Sequence, residues 1–339
     1  MRSLVAAAAL VVATVGAAAP DPFAFFAPSY LVTEKDRRAL RGGESVAHVL
    51  PSPKGQVSIF AAVPMDAPPD RLVAWVRSID RFKRSRQIPI SQRFSDPPQL
   101  EDLASLTLDD DTIDDVRACR VGDCVLKLTE AEITRFQQVI AAAGAGWRTA
   151  LQRPMREMML ARVRAYLESG HLGMPLISDG SEPISLHERF AAILRSSTFL
   201  LDHEPQLARY LGRYPEPAAC RLESFLYWSR EDLGRTPSYT VTHVAILRGD
   251  GMTDPEVLVV GKQVFATRYF NGSLAVTAII RDTDGVHRYL TYVNRTDVDL
   301  LRWPFAGLFR WYVERRVRSE APGVLIGVRH RLESGEPGD

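Results

Sequence analysis

Between residues 223 and 294 the chain repeats one pattern five times: a segment rich in β-branched and aromatic residues, punctuated by turn signals. The segments are 223–229, 239–248, 256–270, 274–281 and 289–294, and Gly249-Asp250-Gly251, Asn271-Gly272 and Asp284-Gly285 lie among them. Such dipeptides supply the positive φ that tight hairpins need, whereas parallel neighbours require crossovers of a dozen or more residues. The stretch therefore predicts an antiparallel meander. A meander needs a cover for its apolar face, and one follows directly. Leu301, Phe305, Leu308, Phe309, Tyr312 and Val313 form one helical stripe, with Arg302, Arg310, Arg315, Arg316 and Arg318 on the remainder and Pro304 near the helix start, where it is tolerated.

Upstream, residues 56–63 (QVSIFAAV) fit a short apolar strand. Ala67-Pro68-Pro69-Asp70 then opens a helix in which Leu72, Val73, Val76, Ile79 and Phe82 share a face. Irregular sequence with Pro89, Pro97 and Pro98 follows. The acidic run 109–115 suits the start of a helix ending near Cys119, because carboxylates there favour the helix dipole. It lacks the alternating oxygen ligands, central Gly and closing Glu of a calcium loop.

Residues 129–211 read as mainly helical. Thr129 and Glu132 make a capping box, Gly144 and Gly146 end that helix, and 147–168 reads as another that Pro154 kinks. Met155, Met158, Met159, Val163 and Leu167 are taken as core. Two helices are expected over 186–195 and 199–211, the second with Pro205 near its middle. His187-Glu188 and His203-Glu204 lack the spacing of a metal site, so no metal is expected.

The first residues suggest where the protein works. Arg2 precedes an uncharged apolar run from Leu4 to Ala19, ended by Pro20 and Pro22. The run is shorter than the ~20 residues of a spanning helix and has the composition of a signal peptide, cut after Ala18. An uncleaved anchor is the second reading of the same run. In an oxidising compartment Cys119 and Cys124, separated by Arg120-Val121-Gly122-Asp123, are candidates for a small disulfide, with Cys220 a leftover thiol. A formal net charge of +1 gives no global attraction to nucleic acid. No nucleotide loop, G-x-S-x-G elbow or triad setting is present, so no cofactor is expected.

These parts resemble the helix-grip architecture of the START and polyketide-cyclase-like superfamily, in which a curved antiparallel sheet wraps a long carboxy-terminal helix. The residues that carry the likeness are QVSIFAAV with MDAPPDRLVAWVRSIDRF, and the hairpins ending in VDLLRWPFAGLFRWYVERRV. About a hundred mainly helical residues between the first helix and the main sheet depart from that pattern. The expected division is a signal peptide at 1–18, an irregular segment at 19–55, a strand-helix opening at 56–128, and a helical region at 129–215. A sheet with its helix at 216–333 and a disordered tail at 334–339 complete it. The fold class is α+β.

A cavity between sheet and helix would bind an apolar small molecule or a lipid, oriented by polar side chains on the strands. Tyr227, Gln263, Tyr269, Asn294 and Arg295, with Phe305, Phe309 and Tyr312 of the helix, are the candidate ligand residues. Glu223 and His243, the latter flanked by Val241 and Ala245, are the candidate acid and base if the cavity is catalytic. Two further roles fit the same chain: the helical region could dock an envelope protein, and the basic aromatic helix could lie on a membrane surface.

Overall fold

The computed structural model describes residues 21–339 except 181, 233, 252, 253, 303–305, 336, 338 and 339. The expected signal segment and Phe305 lie outside the described residues. Thr33 opens α1 (Glu34–Arg41) with a capping box shared with Asp36. Strands β1 (Val46–Leu50) and β2 (Gln56–Met65) follow, then α2 (Pro69–Arg77), α3 (Ile79–Phe82) and β3 (Ile90–Arg93). A helical stretch comprises α4 (Asp110–Ala118), α5 (Glu130–Ala143), α6 (Trp147–Ala150), α7 (Gln152–Ser169), α8 (Leu186–Arg195), α9 (Thr198–His203) and α10 (Pro205–Arg213). The meander β4 (Leu222–Glu231), β5 (Ser238–Arg248), β6 (Val257–Ala266), β7 (Phe270–Arg281) and β8 (Arg288–Val298) leads to α11 (Ala306–Ser334).

All eight strands form one antiparallel sheet in the order β1-β2-β8-β7-β6-β5-β4-β3. Side chains alternate across a strand, so the register sorts them onto two faces. On the front face, Phe225, Tyr227, Val244, Ile246, Val257 and Val259 join Leu72, Val73, Val76 and Ile79 of α2–α3 and Leu325 and Leu332 of α11 in one core. The back face carries two cores. The amino-terminal segment with α8–α10 covers one end, and α4–α7 cover the other around Trp228, Val241 and Phe265.

The helix caps follow their sequence signals, with Asp109 accepting from the Thr112 amide and Thr129 and Glu132 exchanging bonds. Several boundaries differ. The segment 147–168 is α6 then α7, with Pro154 in the first turn of α7, where its missing N–H has no intrahelical acceptor to lose. Pro205 begins α10 rather than sitting inside a helix. The segment 19–55 is not irregular, for it holds α1 and β1. Asn271-Gly272 lies inside β7, and the bend falls at Tyr269, the one non-glycine residue with positive φ (67°) among the described residues. Asn271 is buried there and donates to Asp297 and Asp299 at 2.9 and 2.7 Å. Cys119 and Cys124 are disulfide-bonded, and Cys220 is half-buried. At the carboxy terminus, expected to be a loose tail, Gly335 accepts a bond from Trp75 Nε1 at 2.9 Å.

The largest correction concerns α11. Its expected apolar stripe does not lie flat on the sheet: Leu308 and Tyr312 are 70% and 51% exposed, as is their neighbour Trp311 at 55%, while Leu301, in the turn before α11, is buried. Among the described side chains of α11 those buried are Leu325 and Leu332, more than three turns beyond the stripe. The reason is that α2 and α3 already occupy the front of β4–β6, so α11 lies against β1 and β2 near the sheet edge. Leu332→Ala is expected to lower unfolding free energy in urea by about 2–5 kcal/mol, as for a core cavity, and Leu308→Ala by less than about 0.5.

Candidate functional site

Three rows of cross-strand neighbours run over the front face. Glu223, Ile246, Val259, Thr277 and Tyr292 form one, and Phe225, Val244, Gly261, Ala275 and Asn294 the next. Tyr227, Thr242 and Gln263 begin the third, which Ser273 and Thr296 continue on β7 and β8. The middle of a sheet under a helix layer is ordinarily closed. Here Thr242, Gly261, Ser273, Ala275, Tyr292 and Asn294 all stay half-buried. Gly261 and Ala275 are the reason: opposite one another at the centre, they put almost no side chain above the sheet. A Cβ on Gly261 would come within 3.4 Å of Thr242 Cγ2.

The walls of this groove are polar. Asn294 Nδ2 donates to Ser273 Oγ at 3.1 Å, Thr296 Oγ1 donates to Asn294 Oδ1 at 2.7 Å, and Ser273 and Thr296 hydroxyls meet at 2.9 Å. On the other side Glu231 accepts from Ser229 and Thr240, both at 3.1 Å. Lys83, just past α3, lies near Tyr227, Glu231 and Tyr292. The Tyr227 phenol beside it, then the Glu231 carboxylate and Tyr292, raise its pKa and oppose its desolvation, so the ammonium stays charged. Gln263 is 7% exposed, and its Nε2 has no hydrogen-bond partner. An unmade buried donor of this kind costs about 1–3 kcal/mol. This face thus carries a cation, two phenols and, sealed beside them, an amide donor without a partner, above a floor of small residues.

Tyr227, Gln263 and Asn294 share this face, on the alternate strands β4, β6 and β8. The others do not join them. Arg295 follows Asn294 by one residue and so lies on the back face, where burial lowers its pKa. Tyr269 sits in the β6–β7 bend, its hydroxyl 2.9 Å from Thr236 Oγ1. Tyr312 is on the exposed side of α11, and Phe309 belongs to that helix, but its side chain is outside what is described. Lys83, Glu231, Thr242 and Tyr292 are site residues that the sequence pattern did not single out. Tyr292 was within its reach, since it shares the frame of Asn294 two residues on; Lys83 lies in a segment with no periodic signal.

Glu223 and His243 do not form an acid/base pair. Leu226 is the partner of His243 and Ile246 that of Glu223, which puts the two side chains on opposite faces. Glu223 accepts from Arg77 on both oxygens, Oε1 from Nε at 3.2 Å and Oε2 from Nη2 at 2.7 Å, and that guanidinium holds its carboxyl below the usual range. His243 is sealed in the back core. Tyr166 O–H meets its Nδ1 at 2.9 Å, Tyr210 O–H lies 3.2 Å from its Nε2, and Tyr210 O–H donates to Ser224 Oγ at 3.1 Å. Tyr210 spends its proton on Ser224, so it accepts from His243, and Nδ1 must accept from Tyr166. This assigns a neutral ring protonated on Nε2. Burial, aided by the nearby Lys262 cation, pushes its pKa down to about 3.

Lys262 is the cross-strand partner of His243 and is 1% exposed. Its Nζ donates to the Leu211 carbonyl at 2.6 Å and lies 4.4 and 5.1 Å from the ring centroids of Phe190 and Tyr166. Burial pushes its pKa down to about 7. A second groove, of about 450 Å³, lies between α9 and α10 and is lined by Leu201, Pro205, Ala208 and Arg209. No convergent buried polar groups enter it. Among the described residues no group of His, Cys, Asp or Glu is placed to hold a metal ion, and no helix is long and apolar enough to cross a membrane. No protein-family model matches the chain, and comparisons with curated proteins and with solved structures find no match.

The Lys262 site makes a pH prediction. Between about pH 7 and its ordinary value of 10.5, the unfolded chain binds a proton that the folded chain has released, so this group's contribution to stability rises with pH across that window. Below about pH 7 both states carry the proton and its full cost is present. Lys262→Met is therefore expected to be more stable than the unaltered chain near pH 6, on the order of a few kcal/mol, with the gap closing toward pH 10. Urea midpoints across that range check it, and a gap independent of pH is the contrary result.

Proposed function

We propose that the protein is exported and binds an amphipathic small molecule, lipid-like in its apolar part, in the front-face groove in a helix-grip-like manner. The observation that carries this reading is Gln263: a donor kept buried and unpartnered beside half-buried positions at mid-sheet. Such a donor is satisfied at no further desolvation cost by an acceptor that a ligand brings. Lys83 and the Tyr227 and Tyr292 phenols would hold the same polar head. The small residues Gly261 and Ala275 would admit the apolar part.

The helix-grip reading draws support from the strand order, in which β2 pairs with β8 so that the first long strand and the last lie side by side. It also draws on α2–α3 following that first strand directly, and on α11 following the last. The Cys119–Cys124 bridge suits an oxidising compartment. Binding, not acid/base catalysis, is favoured because Glu223 and His243 sit on opposite faces.

The test is organic extraction of the protein purified from its host, followed by mass spectrometry, together with titration of fluorescent fatty acids and sterols. A co-purifying amphiphile and saturable binding are expected. Ala275→Phe, which fills the groove floor, should weaken binding at least tenfold while leaving the thermal midpoint within a few degrees. No extracted ligand and no probe binding would overturn the proposal, as would full binding by the Phe variant.

A further inference from the structure

Helix α11 has two unlike halves. Beyond Pro322, Leu325 and Leu332 are buried against the front core, and Arg331 donates to the Phe82 and Arg84 carbonyls. Before it, Leu308, Trp311 and Tyr312 point outward. Residues 308, 311, 312 and 315 fall at i, i+3, i+4 and i+7, so they make one stripe along the helix. The stripe ends in Arg315, which is exposed and lies with its guanidinium 5.6 Å from the Trp311 ring.

Three large apolar or aromatic side chains in line are a costly thing to leave in water, at roughly 25 cal/mol for each Å² of apolar surface. Burial in the protein's own core does not account for them, because the same helix turns other residues to the sheet. The surrounding charge has a definite sign. Residues 306–320 hold Arg310, Arg315, Arg316 and Arg318 against Glu314 and Glu320, a formal +2, with Arg316 paired to Glu320 at 3.0 Å. Trp and Tyr with a basic flank suit the boundary between lipid headgroups and acyl chains, where the ring is apolar and its N–H or O–H stays wet. Pro322 lacks the N–H that would bond the residue 318 carbonyl, so the helix is cheapest to bend between its two halves.

We propose that the Leu308–Trp311–Tyr312 stripe docks the protein on an anionic lipid surface, with the first half of α11 lying in the interface plane and Arg315 on the headgroups. This goes beyond ligand binding and does not depend on it. Residues 1–18 are themselves apolar, so the readout has to be local to the stripe. With the full chain and vesicles of phosphatidylcholine carrying about a third phosphatidylglycerol, brominated acyl chains should quench the share of tryptophan emission that Trp311→Phe removes. The quench should weaken with added salt and be much smaller on phosphatidylcholine alone. The double substitution Leu308→Ser/Tyr312→Ser, at exposed positions, should shift the lipid concentration for half-quenching at least tenfold while fatty-acid binding stays unchanged. The proposal is overturned if Trp311 emission is not quenched or if the double variant quenches at the same lipid concentration. It is also overturned if sedimentation shows a dimer that the double variant abolishes, since the stripe would then be a contact between two copies.

Discussion

The pairing of β2 with β8 is the constraint from which the rest of the architecture follows. It runs for ten residue pairs, from Gln56 opposite Asp297 to Met65 opposite Arg288. It attaches the first hairpin to the meander and thereby delivers α2 and α3, which follow β2 directly, to the front of β4–β6. It also sets the start of α11 beside β2, where Arg310 donates to the Gln56 carbonyl at 2.9 Å. The two ends of the fold then lock together: Arg71 Nη1 donates to the Leu332 and Glu333 carbonyls, both at 3.0 Å. With α2–α3 and the far half of α11 fixed, the groove is what the front face has left over.

Buried charge is handled in two ways. Lys127, 1% exposed, lies 3.0 and 2.8 Å from the carboxylates of Asp179 and Asp299. Arg162 pairs with Glu132, the same Glu that closes the α5 capping box, and donates to the Lys127 carbonyl at 2.9 Å. Lys127 ties the helical region to the end of β8 through Asp299, which directly follows that strand, and removing Glu132 would strand the Arg162 guanidinium at a cost of about 3–5 kcal/mol. Lys262 is met instead by a carbonyl and two ring faces, which are weaker compensation, and its lowered pKa reflects that.

What could be read from the sequence was what repeats. The five meander strands, the capping box at Thr129 and the opening of α2 at Pro69 each carry a local signal that the fold leaves intact. The strands β1 and β3 were illegible because five and four residues are too few for a period to emerge. The α11 stripe was legible as a stripe but not as to its side, since periodicity says which residues share a face and never what that face meets. The site was half legible. Tyr227, Gln263 and Asn294 were found by reading polar residues in apolar strand frames, but the same rule admitted His243 and Arg295. Only the register separates them, because neighbouring frames point to opposite faces.

One irregularity in that register has a mechanical side. Between Thr242, opposite Gln263, and Val241, opposite Phe265, β6 carries an extra residue, Val264. A residue left over in a ladder loses a strand partner for its backbone, and here the Val264 carbonyl is taken up at 2.9 Å by Nε2 of the buried His171. A β-sheet ordinarily insulates what happens on one side from the other. At this bulge the two sides share a peptide link: Gln263, whose side chain lies on the groove face, precedes the residue whose carbonyl is held from behind, so anything that engaged the Gln263 amide would pull on a link already anchored in the back core.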